Sequence, residues 1–308
     1  MNKIELNTIY NEDCLEGMKR IPDNSIDLIL TDPPYGTIKS LRLPTWTDET
    51  TYWDNAVAPH VLLGFGEKLL RSKAPFIVFS QEPYTMKLRN SGTRLLSFSY
   101  PLIWKKQSFG NPLVVKKAPA SYFEDLSVFR KQFDTNYQSE ERSYARMVSK
   151  YIGKGRTQVT KDLGHRKLEH FLCFDTSQFA IPTKSAYEEF IKYYQIDAFE
   201  WCLSYEELQK IKSDARPTFN LRGQNHKSNI LEYKKELNST FHPTQKPVAL
   251  IKDLIETYTN EGDTVLDPFM GSGTTAIACL ETNRNFIGFE LDESYYTQAI
   301  ERIKEYKI

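Results

Sequence analysis

Apolar residues along this chain fall into short runs separated by stretches of helical period. Thr8-Ile9-Tyr10 reads as a strand leading into an amphipathic helix that ends near Arg20, and Ile26 to Leu30 reads as a second strand. A helix over about 58–72 precedes the strand Phe76-Ile77-Val78-Phe79, and another over about 83–91 precedes a strand over Leu95–Lys105. Ser127-Val128-Phe129 is a candidate further strand. The final third repeats the alternation: a helix from Val248 to Tyr258, a strand at Thr264-Val265-Leu266, a helix from Thr274 through Leu280, and a strand from Asn285 to Glu290. Strands alternating with helices predict an α/β fold, a mainly parallel sheet covered by helices on both faces. Residues 138–238 break the pattern. They are rich in charge and tyrosine, with helical periods at Ser185–Tyr194 and Tyr205–Ile211.

The second strand runs into Thr31-Asp32-Pro33-Pro34-Tyr35-Gly36. Asp-Pro and Pro-Tyr are ordinary turn chemistry. The same residues also make a clamp for a planar ring that bears an amine. Two prolines stiffen the backbone and remove competing N–H groups. Asp32 can accept one amino hydrogen, the Pro33 carbonyl can accept the other, and Tyr35 can stack on the ring. The exocyclic amine of adenine or cytosine is a poor nucleophile, because its lone pair is delocalised into the ring. Two such hydrogen bonds favour a pyramidal nitrogen able to attack a methyl donor in line, so the work is positioning and electrostatics.

A second motif follows the strand at Thr264: Asp267-Pro268-Phe269-Met270-Gly271-Ser272-Gly273-Thr274-Thr275. The glycines permit a tight turn into the next helix, and the strand after that helix ends in Glu290, at the spacing of a ribose-binding acid. No Lys follows the glycines, which excludes a P-loop. Ala276 stands where a dinucleotide fingerprint would have its third glycine.

Together these motifs resemble the DNA amino-methyltransferases that use S-adenosylmethionine. The catalytic element comes first and the cofactor element last, which matches the circularly permuted β group of that family. Two more elements match: His242-Pro243-Thr244-Gln245-Lys246-Pro247 before the helix at Val248, and Asn11-Glu12-Asp13-Cys14-Leu15 near the start. The resemblance implies a Rossmann-like methyltransferase fold. Asp32, Pro33, Pro34 and Tyr35 resemble the catalytic loop, and Asp267, Phe269, Gly271, Ser272, Gly273 and Thr274 the cofactor loop. Glu290 looks like the ribose binder. Asp13 looks like the contact to the cofactor's adenine, although a helix N-cap is an equal reading of that position. His242, Thr244 and Lys246 look like contacts on the methionine side. An Asp at the first catalytic position is typical of the adenine-N6 enzymes; cytosine-N4 enzymes more often carry Ser there.

The same resemblance divides the chain into a catalytic half (1–137), an inserted, mainly helical target-recognition module (138–238) and a cofactor-binding half (239–308). It implies double-stranded DNA as partner, with base flipping, and carries a homodimer and a cognate restriction endonuclease as further expectations, in a bacterial or phage-encoded cytoplasmic protein. RNA or protein-amide methyltransferases usually place the cofactor motif first, so the order here argues against them.

Charge adds one refinement. The 40 basic and 40 acidic residues cancel, so only their distribution can speak for DNA. From Arg142 to Lys167 the basic residues include Arg142, Arg146, Lys150, Lys154, Arg156, Lys161, Arg166 and Lys167, with Asp162 the only acid. Lys105, Lys106, Lys116 and Lys117 form a second cluster near Trp104 and Phe109. Basic residues interleaved with aromatics suit phosphate contact, so Arg156, Lys161, Arg166, Lys167 and Lys105 are the candidate DNA contacts. Residues 157–166 read as a helix, a glycine turn and a second helix: a helix-turn-helix or a plain helical hairpin. Thr183 to Glu188 reads as a helix start with a capping pair at Ser185 and Glu188. Residues 37–57, with Trp46 and Trp53, form a long loop after the catalytic strand, expected to be a lid or to face DNA. The four cysteines are scattered without a Cys-x-x-Cys pair, which suggests neither a zinc site nor a disulfide framework. No run is long and apolar enough to span a membrane.

Overall fold

In the computed structural model, the described residues are 4–36, 56–110, 115–117, 119–132, 140–176, 178–214, 218–234 and 245–306. His242, Thr244, Trp46, Trp53 and Arg216 lie outside them. Two compact units result: Met1–Gln132 together with Pro217–Ile308, and Phe133–Arg216. The second begins at Phe133, slightly before the expected module, and ends well before it at Arg216, because residues 218–234 belong to the first unit and supply it with a strand.

The first unit is built on one eight-stranded sheet. In chain order its strands are β1 (Thr8–Tyr10), β2 (Leu28–Thr31), β3 (Pro75–Ser80), β4 (Leu96–Gly110), β5 (Ser121–Lys131), β6 (Ile230–Glu232), β7 (Thr264–Asp267) and β8 (Asn285–Phe289). Their spatial order is β1-β8-β7-β2-β3-β5-β4-β6. The first five in that order are mutually parallel; β5 is antiparallel to both its neighbours, and β6 is parallel to β4. The expected mainly parallel sheet is therefore present. The hairpin of β4 and β5 is longer than the apolar pattern predicts, since both strands extend beyond the core into polar residues.

Buried on both faces, β2 and β3 read as continuous apolar runs rather than alternating ones. Alternation decides which core each residue serves. Leu28, Leu30, Ile77 and Phe79 join one core; Ile29, Phe76 and Val78 join the other. The first core is closed by α8 (Val248–Tyr258), α9 (Thr274–Glu281) and α10 (Glu293–Tyr306), and the second by α1 (Cys14–Gly17), α2 (Pro59–Leu69) and α3 (Tyr84–Arg89). Val248, Leu250, Ile251, Leu254, Ile255 and Tyr258 form the buried stripe of α8, at the spacing its sequence predicts. Each such fully buried side chain contributes about 1.5–3 kcal/mol.

The second unit has its own core. Tyr144, Ala145 and Val148 of α4 (Glu140–Ile152), Val159 of α5 (Arg156–Leu163), Tyr187 and Phe190 of α6 (Lys184–Tyr193) and Leu208 of α7 (Tyr205–Asp214) pack around Phe171. Two expectations fail here. The helix-turn-helix lacks its second helix: Gly164 ends α5 in the left-handed region (φ 72°), as the sequence suggests, but residues 165–172 continue as turns. There Glu169 N–H closes onto the Arg166 carbonyl and the Glu169 carboxylate takes the Arg166 guanidinium, so a single turn absorbs the spacing that resembles a helix. Nor is Ser185 a cap. It lies inside α6, whose N-cap is Thr183, and that side chain makes no capping bond.

Candidate active site

The sequence motifs converge on one edge of the sheet. From β7 the chain passes to β8 on one side, and from β2 to β3 on the other, so the order of connection reverses between β7 and β2. A crevice outside the carboxyl ends of parallel strands at such a reversal is where open α/β sheets bind ligands. Asp32 follows β2 there, Asp267 ends β7, Glu290 follows β8, and Asn11 to Asp13 follow β1.

On the β7–β8 side the loop is anchored by acids. Asp267, 4% exposed, accepts Thr31 Oγ1 at 2.8 Å, Thr275 Oγ1 at 2.6 Å and Phe269 N–H at 3.1 Å. Burial pushes its carboxyl up to about 6, against those three hydrogen bonds. Gly271 (φ 51°) and Gly273 (φ 74°) turn the chain into α9, and a Cβ on Gly273 would stand 3.2 Å from the Ala299 side chain. The Ser272 and Thr274 hydroxyls lie 3.0 Å apart, both buried. Glu290 takes Gly271 N–H at 2.8 Å on one oxygen and Asp292 N–H at 2.9 Å on the other. Burial raises its pKa, opposed by these backbone donors. Asn11 bonds the Glu290 and Leu291 carbonyls, tying the end of β1 to the end of β8. Asp13 caps α1 by accepting Leu15 N–H at 2.8 Å, so the structure realises the N-cap reading of that residue. Cys14 behind it is buried, as an apolar side chain would be, and burial raises its thiol to about 12.

On the β2–β3 side lies a buried ionic cluster. Tyr35 donates its hydroxyl to Asp32 Oδ1, and the Lys246 ammonium pairs with Asp32 Oδ2. Lys246 Nζ also stands 3.0 Å from Glu124 Oε1, while Lys106 Nζ holds Glu124 Oε2 at 2.6 Å. Lys246 and Lys106 lie about 5 Å from the ring centroids of Phe79 (5.0 Å) and Trp104 (5.1 Å). Burial raises the Asp32 pKa; the Lys246 charge opposes this and the Glu124 charge adds to it. For Glu124 burial works upward, but Lys246 and Lys106 outweigh it, and its pKa is lowered. Burial opposes the Lys246 charge too, yet its two carboxylates hold its pKa raised. The Tyr35 hydroxyl is pushed well above its ordinary range by burial and by both acids. The Tyr35 ring lies 5.7 Å from that of Tyr84, tilted by 36°.

Glu124 carries no motif signal of its own, and Gln245 lies inside the His242–Pro247 motif without being singled out there. Glu124 sits before the apolar run of β5, and because β5 is antiparallel, its start meets the carboxyl edge of β3. An acid entering a strand was the available sequence cue. The Gln245 amide is buried with no hydrogen-bond partner among the described residues. Lys105 and Lys106, grouped by sequence, separate by strand alternation: Lys105 faces outward and pairs with Glu232 at 2.9 Å, whereas Lys106 turns inward to Glu124.

The other candidate DNA contacts belong to the second unit. Lys161 and Lys167 are exposed there, Arg166 is exposed and bonded to Glu169 at 2.7 Å, and Arg156 reaches Cys173 Sγ at 3.0 Å. Part of the basic run is structural instead. Arg142 is buried and donates to the Phe174 and Thr176 carbonyls, Arg146 pairs with Asp175, and Lys154 pairs with Asp162.

A glycine turn at the end of a central parallel strand, an acid closing the next strand and an acceptor for an amine on the neighbouring strand define a nucleoside-binding transferase of Rossmann-like architecture. Residues 26–301 match the model of the DNA methylase family, and the chain belongs to that family. It is a DNA methyltransferase, and S-adenosylmethionine is its methyl donor. Over 297 residues it is 26% identical to the type II methyltransferase M.HpaI of Haemophilus parainfluenzae, covering 94% of this chain and 72% of that one. With M.BglII of Bacillus subtilis the identity is 27% over 299 residues, covering 95% and 68%. The fold matches the crystal structure of the M1.HpyAVI–SAM complex with a TM-score of 0.53 at 20% identity, covering 96% of this chain and 98% of that one.

The residues present fit a sulfonium nucleoside. Each oxygen of Glu290 carries one backbone N–H and keeps lone pairs for hydroxyl donors such as those of a ribose. The unpartnered Gln245 amide, beside Lys246 in the chain, is the kind of buried group that a ligand satisfies.

Proposed function

We propose that this chain methylates the N6 amine of adenine in duplex DNA, with Asp32, Pro33, Pro34 and Tyr35 as the residues that meet the base. The observation that carries this reading is the position of Asp32: at the carboxyl end of β2, beside the glycine turn that follows β7. The cofactor supplies an electrophilic sulfonium methyl group. Glu290 and the Gly271–Gly273 turn hold it, with Asp267, Phe269, Ser272 and Thr274 shaping that loop; by family resemblance Asp13 meets its adenine, and His242, Thr244 and Lys246 contact its methionine side. The target base leaves the stack at a cost of about a few kcal/mol. Tyr35 stacks on it, while Asp32 and the Pro33 carbonyl accept its two amino hydrogens. When bound, the cofactor would give its methyl group to the amine nitrogen, the sulfur–methyl bond breaking to leave S-adenosylhomocysteine; Asp32, whose raised pKa suits an acceptor, receives the proton lost from the amine.

The second unit is the module that reads the DNA sequence, with Arg156, Lys161, Arg166 and Lys167 as phosphate contacts and Lys105 contributing from the first. The neighbouring positions of β2, early in the chain, and β7, late in it, support the circularly permuted order. A homodimer, a cognate restriction endonuclease and a place in the bacterial cytoplasm are expectations this reading carries with it.

The test is methyl transfer from labelled S-adenosylmethionine to mixed-sequence duplex DNA, followed by nucleoside digestion and mass spectrometry. N6-methyladenine is expected. N4-methylcytosine would keep the site and change the target; label absent from DNA would overturn the reading.

A further inference from the structure

Glycine takes either sign of φ with similar ease, so a turn built on two glycines has little conformational preference of its own. Gly271 and Gly273, both in the left-handed region, flank Ser272 in this way (φ 51° and 74°). The peptide between Ser272 and Gly273 is nevertheless pinned at both ends. Gly273 N–H donates to the Met270 carbonyl at 3.0 Å, and the Ser272 carbonyl accepts Arg302 Nη1 at 2.9 Å. The same Nη1 donates to Thr274 Oγ1 at 3.1 Å, and the Thr274 and Ser272 hydroxyls lie 3.0 Å apart. Arg302 therefore grips the turn on both sides of Gly273. It is half-buried and comes from α10, 30 residues beyond Ser272 in the chain. Ala299 shares its face of that helix, and its side chain lies 3.2 Å from where a Cβ on Gly273 would stand. One face of α10 is thus the floor on which the turn rests.

We propose that Arg302 is a positioning residue for S-adenosylmethionine: its guanidinium holds the Gly271–Gly273 turn, before any ligand arrives, in the conformation that receives the cofactor. This rests on that turn being the cofactor loop. A trans peptide points its C=O and N–H in opposite directions, so fixing the Ser272 carbonyl also fixes the Gly273 N–H. The first N–H groups of α9 come directly after this plane, and such groups have no partner within their own helix. Their direction, and that of the two buried hydroxyls, is set with it. Released from Arg302, the plane rotates about ψ of Ser272 and φ of Gly273, where glycine offers no steric resistance. Only a fraction of the molecules then presents the binding form, and the apparent cofactor affinity falls by that fraction. Once the cofactor is seated the turn is the same, so the chemistry at Asp32 is untouched.

A split between the two substrates separates this role from a merely structural one. A bond that only staples α10 to the fold would, when lost, lower stability and weaken both substrates alike. A bond that pre-sets the turn acts on S-adenosylmethionine and leaves DNA binding and turnover at saturating cofactor where they were. Charge and reach are separable too. Lysine keeps the positive charge but is shorter and lacks the planar guanidinium.

The experiment compares the full chain with its Arg302→Met and Arg302→Lys variants. It measures Kd for S-adenosylmethionine by calorimetry, KM for duplex DNA, and kcat at saturating cofactor. For Arg302→Met we expect Kd to rise about tenfold or more, with kcat and the KM for DNA held within about twofold. For Arg302→Lys we expect a rise of about threefold. Cofactor affinity within twofold of wild type in Arg302→Met overturns the proposal, as do equal losses in cofactor affinity, KM for DNA and kcat. Wild-type affinity in Arg302→Lys would reduce the residue to its charge and overturns it as well. Should Arg302→Met fail to fold, Arg302→Lys decides alone. If wild type binds S-adenosylmethionine and the variants match it, only this inference falls. If wild type binds none, the assignment of the turn as the cofactor loop falls with it.

Discussion

The two units of this protein use charge in opposite ways. In the first, Asp32, Glu124, Lys106 and Lys246 come from four separate segments and meet in a buried cluster at the carboxyl edge of the sheet. In the second, a run that looks uniformly basic in sequence divides between the interior and the surface. Arg142 is buried on carbonyls and Arg146 is half-buried against Asp175; Lys150, Lys154, Lys161, Arg166 and Lys167 are exposed, Lys154 and Arg166 paired there with Asp162 and Glu169. A buried charge is expensive unless it is paired, so the buried cluster around Asp32 is a candidate for chemistry in a way that the exposed cations are not. An exposed charge costs little, and its number alone says little about a partner. Charge count was the weaker guide and position in the sheet the stronger one.

The largest expected effect falls on the first unit. Asp32→Ala should lower methyl transfer by about a thousandfold or more, with S-adenosylmethionine binding retained, as measured by labelled transfer and calorimetry on one preparation. Activity that survives this change would remove Asp32 from the chemistry and dissolve the contrast between the units.

A core change in the second unit should be large in another currency. Phe171 is fully buried among Phe179, Tyr187 and Phe190. Phe171→Ala should cost about 3–5 kcal/mol in denaturant unfolding of that unit, while the first unit still binds cofactor. Loss of cofactor binding in step with the second unit would show that the two do not act separately.

The smallest effect belongs to the exposed cations. Arg166→Ala with Lys167→Ala should weaken DNA binding evenly across sequences, and reduce the slope of log affinity against log salt by about one for each phosphate no longer neutralised. An unchanged slope would move the DNA surface elsewhere.

Local chemistry was legible in the sequence. The strand before Asp-Pro-Pro-Tyr, the glycine turn before α9, the acid after β8 and the full span of α8 all rest on short-range patterns, and all stand where those patterns put them. The cluster around Asp32 was not legible, because Lys246 reaches Asp32 across 214 residues and Tyr35 reaches Glu124 across 89. No window along the chain contains such pairs; the sheet order creates them. The missing second helix after Gly164 has a different cause. Leu168 and Phe171 have helical spacing, but a turn closed by Arg166 and Glu169 buries both without forming a helix.

The central claim is that cofactor and target amine meet at the carboxyl edge between β7 and β2. The most direct measurement is a crystal structure of the full chain with S-adenosylhomocysteine. Ribose hydroxyls on the Glu290 carboxylate, with the sulfur turned toward Asp32, are the predicted result. A ligand seated away from Glu290, or with its sulfur facing away from Asp32, would contradict the assignment.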